Sequence, residues 1–224
     1  MGICGGCAER CSLRYLKGVA AAAAALVGVA FLYLQVSRAF TITPCCADDS
    51  FFSVIARFFS ETLKYALPTS STTHSLFDPR IGVGPALIVP GALMMKIFGA
   101  QYWVPGVTVI LLFSSQLIVC TWLLIRNFGS ARALFFVMLV MLALIGATPD
   151  WPFFFIFIGE APLLGFLLLG AIILATEGGT KRGVLFGSFA LSLALLTKLI
   201  GLFSVVGIGL AWLAREASSQ RRIA

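Results

Sequence analysis

Charge is what this sequence has least of. Lys, Arg, Asp and Glu together make up 11% of the 224 residues, there is one histidine, and the acids number nine against sixteen Lys and Arg. A typical globular domain carries about 25% charged residues. Hydrophobic residues make up 60%, and the mean hydropathy is +1.02. A soluble fold of this length has too little polar surface to cover that much apolar side chain. The composition therefore excludes a soluble enzyme, a nucleic-acid binder and a disordered tail. The net charge of +7 does not point to a nucleic-acid partner, because cytoplasmic loops of membrane proteins retain Lys and Arg.

Paired cysteine motifs are also missing. Cys4, Cys7 and Cys11 form C-x-x-C-x-x-x-C beside an apolar run, with no second C-x-x-C and no nearby His. Structural zinc takes four N or S ligands, so these read as free thiols or as S-acylation positions. No small-residue cleavage site followed by a polar mature domain closes the first apolar run. It reads as a retained span and not a signal peptide.

What is present is a series of long apolar stretches. Residues 1–15 form a basic N-terminus, and 16–36 a first span that includes the alanine run Ala20 to Ala25. Residues 37–102 form a polar outer loop with interfacial helices, 103–213 the remaining spans, and 214–224 a tail. The whole reads as one all-α polytopic membrane domain of about six transmembrane helices. Within the loop, Ser50 to Leu67 has helical spacing. Phe51, Ile55, Phe58, Phe59, Leu63 and Ala66 fall on one side, and Ser53, Arg57, Glu61 and Lys64 on the other. This predicts a helix lying in the membrane interface and ended by Pro68. Thr69 to Ser75 is a polar linker. Ile81 to Gly99 is apolar but broken by Gly84-Pro85 and Pro90-Gly91, which predicts a juxtamembrane or re-entrant element.

Trp103 to Ile125, Ala133 to Ala147 and Leu163 to Ala175 read as spans. Val184 to Leu213 is too long for one straight span, because its 30 residues would measure about 45 Å as helix. Two short helices breaking near Thr197-Lys198 keep the lysine out of mid-membrane. Six spans then put both termini in the cytoplasm. The inner basic residues are Arg10, Arg14, Lys17, Arg126, Arg132, Lys181, Arg182, Arg215, Arg221 and Arg222, against Glu9, Glu177 and Glu216. The remaining acids, Asp48, Asp49, Glu61, Asp78, Asp150 and Glu160, lie outside or at the outer edge.

Ionisable residues at membrane depth are functional candidates by default. The constellation is Asp48, Asp49, His74, Asp78, Arg80, Glu160 and Lys198. A carboxylate can act as a general base toward an acceptor hydroxyl or hold a divalent metal ion. Lys and Arg can hold a phosphate leaving group. Together these groups suit transfer from a lipid phosphate at the outer face. Each also has a structural reading. Asp48 and Asp49 are good helix caps, Glu160 suits a helix N-terminus, and Lys198 can snorkel. His74 lies in a Ser/Thr-rich loop, Asp78 before Pro79 is a turn signal, and Arg80 suits a lipid headgroup. A small transporter is the weakest reading, since no inverted repeat is visible.

The string A-D-D-S-F-F-S-V-I-A-R-F-F-S-E, Ala47 to Glu61, resembles the first-loop signature of GT-C-type polytopic glycosyltransferases, the class of protein O-mannosyltransferases and the aminoarabinose transferase. The resemblance continues through Phe77 to Gly99, similar to that family's second loop helix. It runs on in G-E-A-P, Gly159 to Pro162, and in L-A-L-L-T-K, Leu193 to Lys198. It covers nearly the whole chain, which corresponds to the family's N-terminal core.

The resemblance implies a polyprenyl-phosphate sugar donor and an acceptor at the outer or luminal face, with Asp48 and Asp49 as the catalytic pair. It also implies Glu160 as the acid toward acceptor or metal, and Lys198 beside the lipid phosphate. His74, Asp78 and Arg80 have no firm counterpart in it; their candidate roles are acceptor or metal contact for the first two and phosphate contact for the arginine. The family usually continues for further spans. The chain is therefore read as a fragment, a minimal enzyme, or a non-catalytic membrane subunit that binds lipid or stabilises a larger complex with other membrane subunits.

Overall fold

A computed structural model describes residues 26, 28–30, 32–37, 39–40, 47–68, 73–76, 81–146, 157 and 159–221. Cys4, Cys7, Cys11, Asp78, Arg80 and the first half of the 16–36 span lie outside the described residues. The part of the first span that is described is helical at 28–30 and 32–37. Its end is tied to the bundle, since the Tyr102 hydroxyl donates to the Phe40 carbonyl at 2.7 Å.

Helix α1, Ala47–Thr62, is the loop helix read from the sequence. Phe52, Ile55 and Ala56 are buried on one face. On the other, Arg57 donates to Glu61 one turn on at 3.0 Å. Both ends of that pair are more than half exposed, so it adds only a few tenths of a kcal/mol, about 0.3–0.5.

The helix stops five residues before the expected Leu67. The Thr62 hydroxyl donates to the Phe58 carbonyl and accepts from the Lys64 backbone N–H, a local arrangement that competes with continued helix. Leu63 then takes a left-handed φ of 57°, which costs a non-glycine residue about 1–2 kcal/mol. Burial of Ala66 and Leu67 beyond the turn offsets that cost. The polar linker is also corrected in part. Strand β1, Ala66–Pro68, pairs antiparallel with β2, His74–Leu76. Periodicity could not reveal so short a hairpin.

Helix α2, Pro85–Phe98, has Pro85 in its first turn, where a missing N–H is harmless. Leu87, Ile88, Gly91, Ala92 and Met95 form its buried face. Its 14 residues rise about 21 Å, short of the roughly 30 Å hydrocarbon core.

Helices α3, Val104–Phe128, and α4, Ser130–Gly146, follow. Next come α5, Glu160–Glu177, and α6, Lys181–Thr197. The chain then breaks at Lys198, whose backbone is extended, and passes through a short 3₁₀ turn, Leu199–Gly201, into α7, Leu202–Arg221. This is the interruption that the length argument required. Thr180 caps α6 by accepting the Gly183 N–H at 2.9 Å.

The larger core joins α1, α2 and α3 with Phe157 and Ala161, and a smaller one joins Cys120 and Leu123 to Ile172. α5 and α6 lie tightly together, because Gly170 faces Leu191 and Gly187 faces Leu174.

The outside is apolar as well. Phe203 is 81% exposed and Leu199 74%, a distribution that only lipid or another apolar partner explains. Among the described residues, three helical stretches are long and apolar enough to cross a membrane: Val104–Phe128, Glu160–Glu177 and Leu199–Ser218. The protein is a helical membrane protein.

Candidate functional site at one end of the bundle

The site is assembled from one helix start, one helix end and an extended segment. Gly159 turns the chain into α5 with a left-handed φ of 92°, a conformation that glycine adopts without cost. Glu160 is the first residue of that helix. There the unpaired N–H groups of the first turn favour a carboxylate. Lys198 directly follows the last residue of α6, where the carbonyl end favours a cation. The two side chains form an ion pair, with 37% of the Glu160 side chain and 25% of the Lys198 side chain exposed. The second Glu160 oxygen, Oε2, is buried and has no hydrogen-bond partner among the described residues.

The lysine is held in place by its backbone. Val83 forms an isolated antiparallel bridge with Lys198, and the Gly84 N–H donates to the Thr197 carbonyl at 2.8 Å. The approach is so close that a Cβ on Gly84 would collide with the Leu196 carbonyl. Thr197 is itself buried, and its hydroxyl donates to the Leu193 carbonyl. Below the bridge, the fully buried Phe157 packs into the gap left by Gly91. Gln116, buried in mid-span on α3, donates from Nε2 to the Pro162 carbonyl at 3.3 Å and so fixes the first turn of α5.

Tyr65 supports the same segment from the hairpin side. Its hydroxyl donates to the Val83 carbonyl at 2.5 Å, and burial pushes its pKa up to about 12 from the usual 10.0. Folding thus favours the neutral phenol. The resulting stability is fully present below about pH 10 and is lost as pH rises toward 12. Tyr65→Phe should remove that alkaline loss and cost about 0.5–1.5 kcal/mol at neutral pH. Unfolding midpoints in detergent at pH 8, 10 and 11.5 check both parts. An unchanged alkaline limb in the variant would refute the assignment.

The structure brings together two of the sequence-derived candidates, Glu160 and Lys198. Asp48 and Asp49 lie in the first turn of α1, which packs on α2, the helix that starts at Gly84; their side chains are outside the described residues. His74 lies in β2 with its ring 5.5 Å from Phe58. It makes no hydrogen bond or ion pair with Glu160 or Lys198.

Val83, Tyr65 and Gln116 were not singled out by the sequence, and Gly84 and Thr197 were marked only as breaks in apolar runs. Gln116 carried a signal, an amide inside an apolar span. The backbone partners carried none, since any residue can bridge. Among the described residues no group of three His, Cys, Asp or Glu side chains could hold a metal ion. The Glu160 carboxylate alone does not make a cation site, and no step below is routed through a metal.

Comparison with protein-family models, with curated proteins and with solved structures finds no match.

Proposed function

We propose that the protein is a GT-C-type glycosyltransferase that moves a sugar from a polyprenyl-phosphate donor to an acceptor hydroxyl at one membrane face. One observation carries the reading. The segments on which the resemblance rests are far apart in the chain yet adjoin in the fold. Residues 81–99, 159–162 and 193–198 meet at the Val83–Lys198 bridge and the Glu160–Lys198 pair, and α1, which begins with Asp48 and Asp49, packs on α2.

In this mechanism one carboxylate of the Asp48–Asp49 pair accepts the proton of the acceptor hydroxyl. The acceptor oxygen forms a bond to the anomeric carbon, the bond from that carbon to the phosphate oxygen breaks, and polyprenyl phosphate leaves with the electron pair. Lys198 exchanges its carboxylate partner for the departing phosphate. Glu160, released from the lysine and holding a free oxygen, accepts a hydrogen bond from the acceptor.

The proposed topology is six spans with both termini cytoplasmic, so that this site faces outward. α4 and α6, at 17 residues each, rise about 25 Å and fall at the short end of the spanning range of roughly 17–25 residues. Cysteine labelling of intact cells, in a cysteine-free background, should find a Glu216→Cys variant protected and a Ser71→Cys variant accessible. Outside labelling at position 216 would reverse the orientation of the site.

The direct test is transfer by the purified protein, reconstituted in liposomes with a panel of polyprenyl-phosphate sugars and lipid or peptide hydroxyl acceptors. Product that appears only with the lipid-linked donor supports the proposal. A folded protein with no transfer from any such donor would favour the non-catalytic subunit.

A further inference from the structure

α5, α6 and α7 line an open groove of about 330 Å³, with Leu174, Val184, Ser188, Ser192, Gly209 and Trp212 among its walls. It follows α6 from Val184 to Leu195, which is about 17 Å of helix rise. Volume over length gives a mean cross-section of about 20 Å², the girth of a single hydrocarbon chain. The groove walls are overwhelmingly apolar. Trp212 lines the groove with its ring, while its Nε1 is buried against the Gly178 turn.

The mouth of this slot is cationic. Lys181, one turn before Val184 on the same face of α6, and Arg182 are both exposed. Arg215, one turn beyond Trp212, donates to the Ala175 carbonyl at the end of α5. Of the acids at this end, Glu177 is engaged by Arg126 at 3.4 Å. Among the described residues, Glu216 is then the acid left against Lys181, Arg182 and Arg215.

We propose that this groove is a binding site for one anionic glycerophospholipid. An acyl chain lies along α6 between Val184 and Leu195. The Trp212 ring packs against the chain, and the headgroup phosphate rests on Lys181, Arg182 and the remaining donors of Arg215. Such a lipid covers part of α7, almost none of whose apolar window is buried by protein. The site is independent of the proposed transfer reaction.

The test is native mass spectrometry of the full chain released from nanodiscs made of equal phosphatidylglycerol and phosphatidylcholine. The wild type should retain one phosphatidylglycerol. Gly209→Phe places a ring in the slot from a position where a Cβ meets nothing within 4 Å, so the variant should fold and lose the lipid. Lys181→Gln with Arg182→Gln should leave the slot intact but lower the preference for the anionic lipid about 25-fold, at about fivefold per cation. Equal retention of both lipids by the wild type would overturn the proposal. So would full retention by Gly209→Phe, or a Gly209→Cys variant that cross-links to a helix of another protein chain.

Discussion

Replacing both Asp48 and Asp49 by asparagine should leave the protein folded and inserted in the membrane while lowering sugar transfer at least about 100-fold, the lower end of what general-base catalysis contributes. Both residues lie in the first turn of α1, a position where a carboxylate is favoured by the helix dipole. Asparagine has nearly the same shape, so the double change removes the proton acceptors and costs only that dipole contribution, about 0.3–1 kcal/mol per residue. Circular dichroism and size-exclusion behaviour report the fold, and initial rates with a polyprenyl-phosphate donor report the chemistry. Wild-type rates in the variant would reduce the pair to partners of the helix dipole and withdraw the proposed base.

The second large effect is expected at Gly84. Its N–H donates to the Thr197 carbonyl, and a side chain there would meet the backbone of Leu196 and not a movable side chain. Gly84→Val should separate the start of α2 from the end of α6. Overpacking of this kind costs about 1–3 kcal/mol, and loss of the backbone hydrogen bond adds about 1 kcal/mol. The bridge to Val83 that holds Lys198 beside Glu160 would open, so the unfolding midpoint and transfer should fall together. Gly207→Ala is the control. It lies in α7 with nothing within 4 Å of the added carbon, and in a helix interior it should stabilise by about 0.5–1 kcal/mol. A Gly84→Val midpoint equal to wild type would show that the close approach is not needed.

Much of the local structure was legible because local rules decide it. The apolar spacing of Phe51, Ile55, Phe58 and Phe59 is that of a helix in any surroundings, although the face that packing buries is centred on Phe52, Ile55 and Ala56. The largely apolar thirty-residue stretch from Val184 to Leu213 had to break, and Lys198 marked the place, because an ammonium is costly in mid-membrane. The end of α1 was misread for the opposite reason. Pro68 is the obvious helix breaker, but the chain leaves the helix earlier, at Leu63, to bury Ala66 and Leu67 and to aim Tyr65 at Val83. No pattern within Ser50 to Leu67 encodes a reward that lies beyond that segment.

The sequence by itself determined that the protein is helical and membrane-bound, because hydrophobic content and the run lengths of apolar residues act through the solvent and need no partner. It also determined that Glu160 and Lys198 stand beside breaks between apolar runs, since charge and apolar run length are properties of the chain. Only the tertiary structure decided that these two residues face each other, 38 positions apart, and that Val83 and Gly84 hold the lysine there. Those contacts depend on which helix ends meet in the packed bundle. That meeting is set by close approaches such as Gly84 on Leu196 and Gly91 under Phe157, where the informative feature is a missing side chain on one element opposite a bulky group on another.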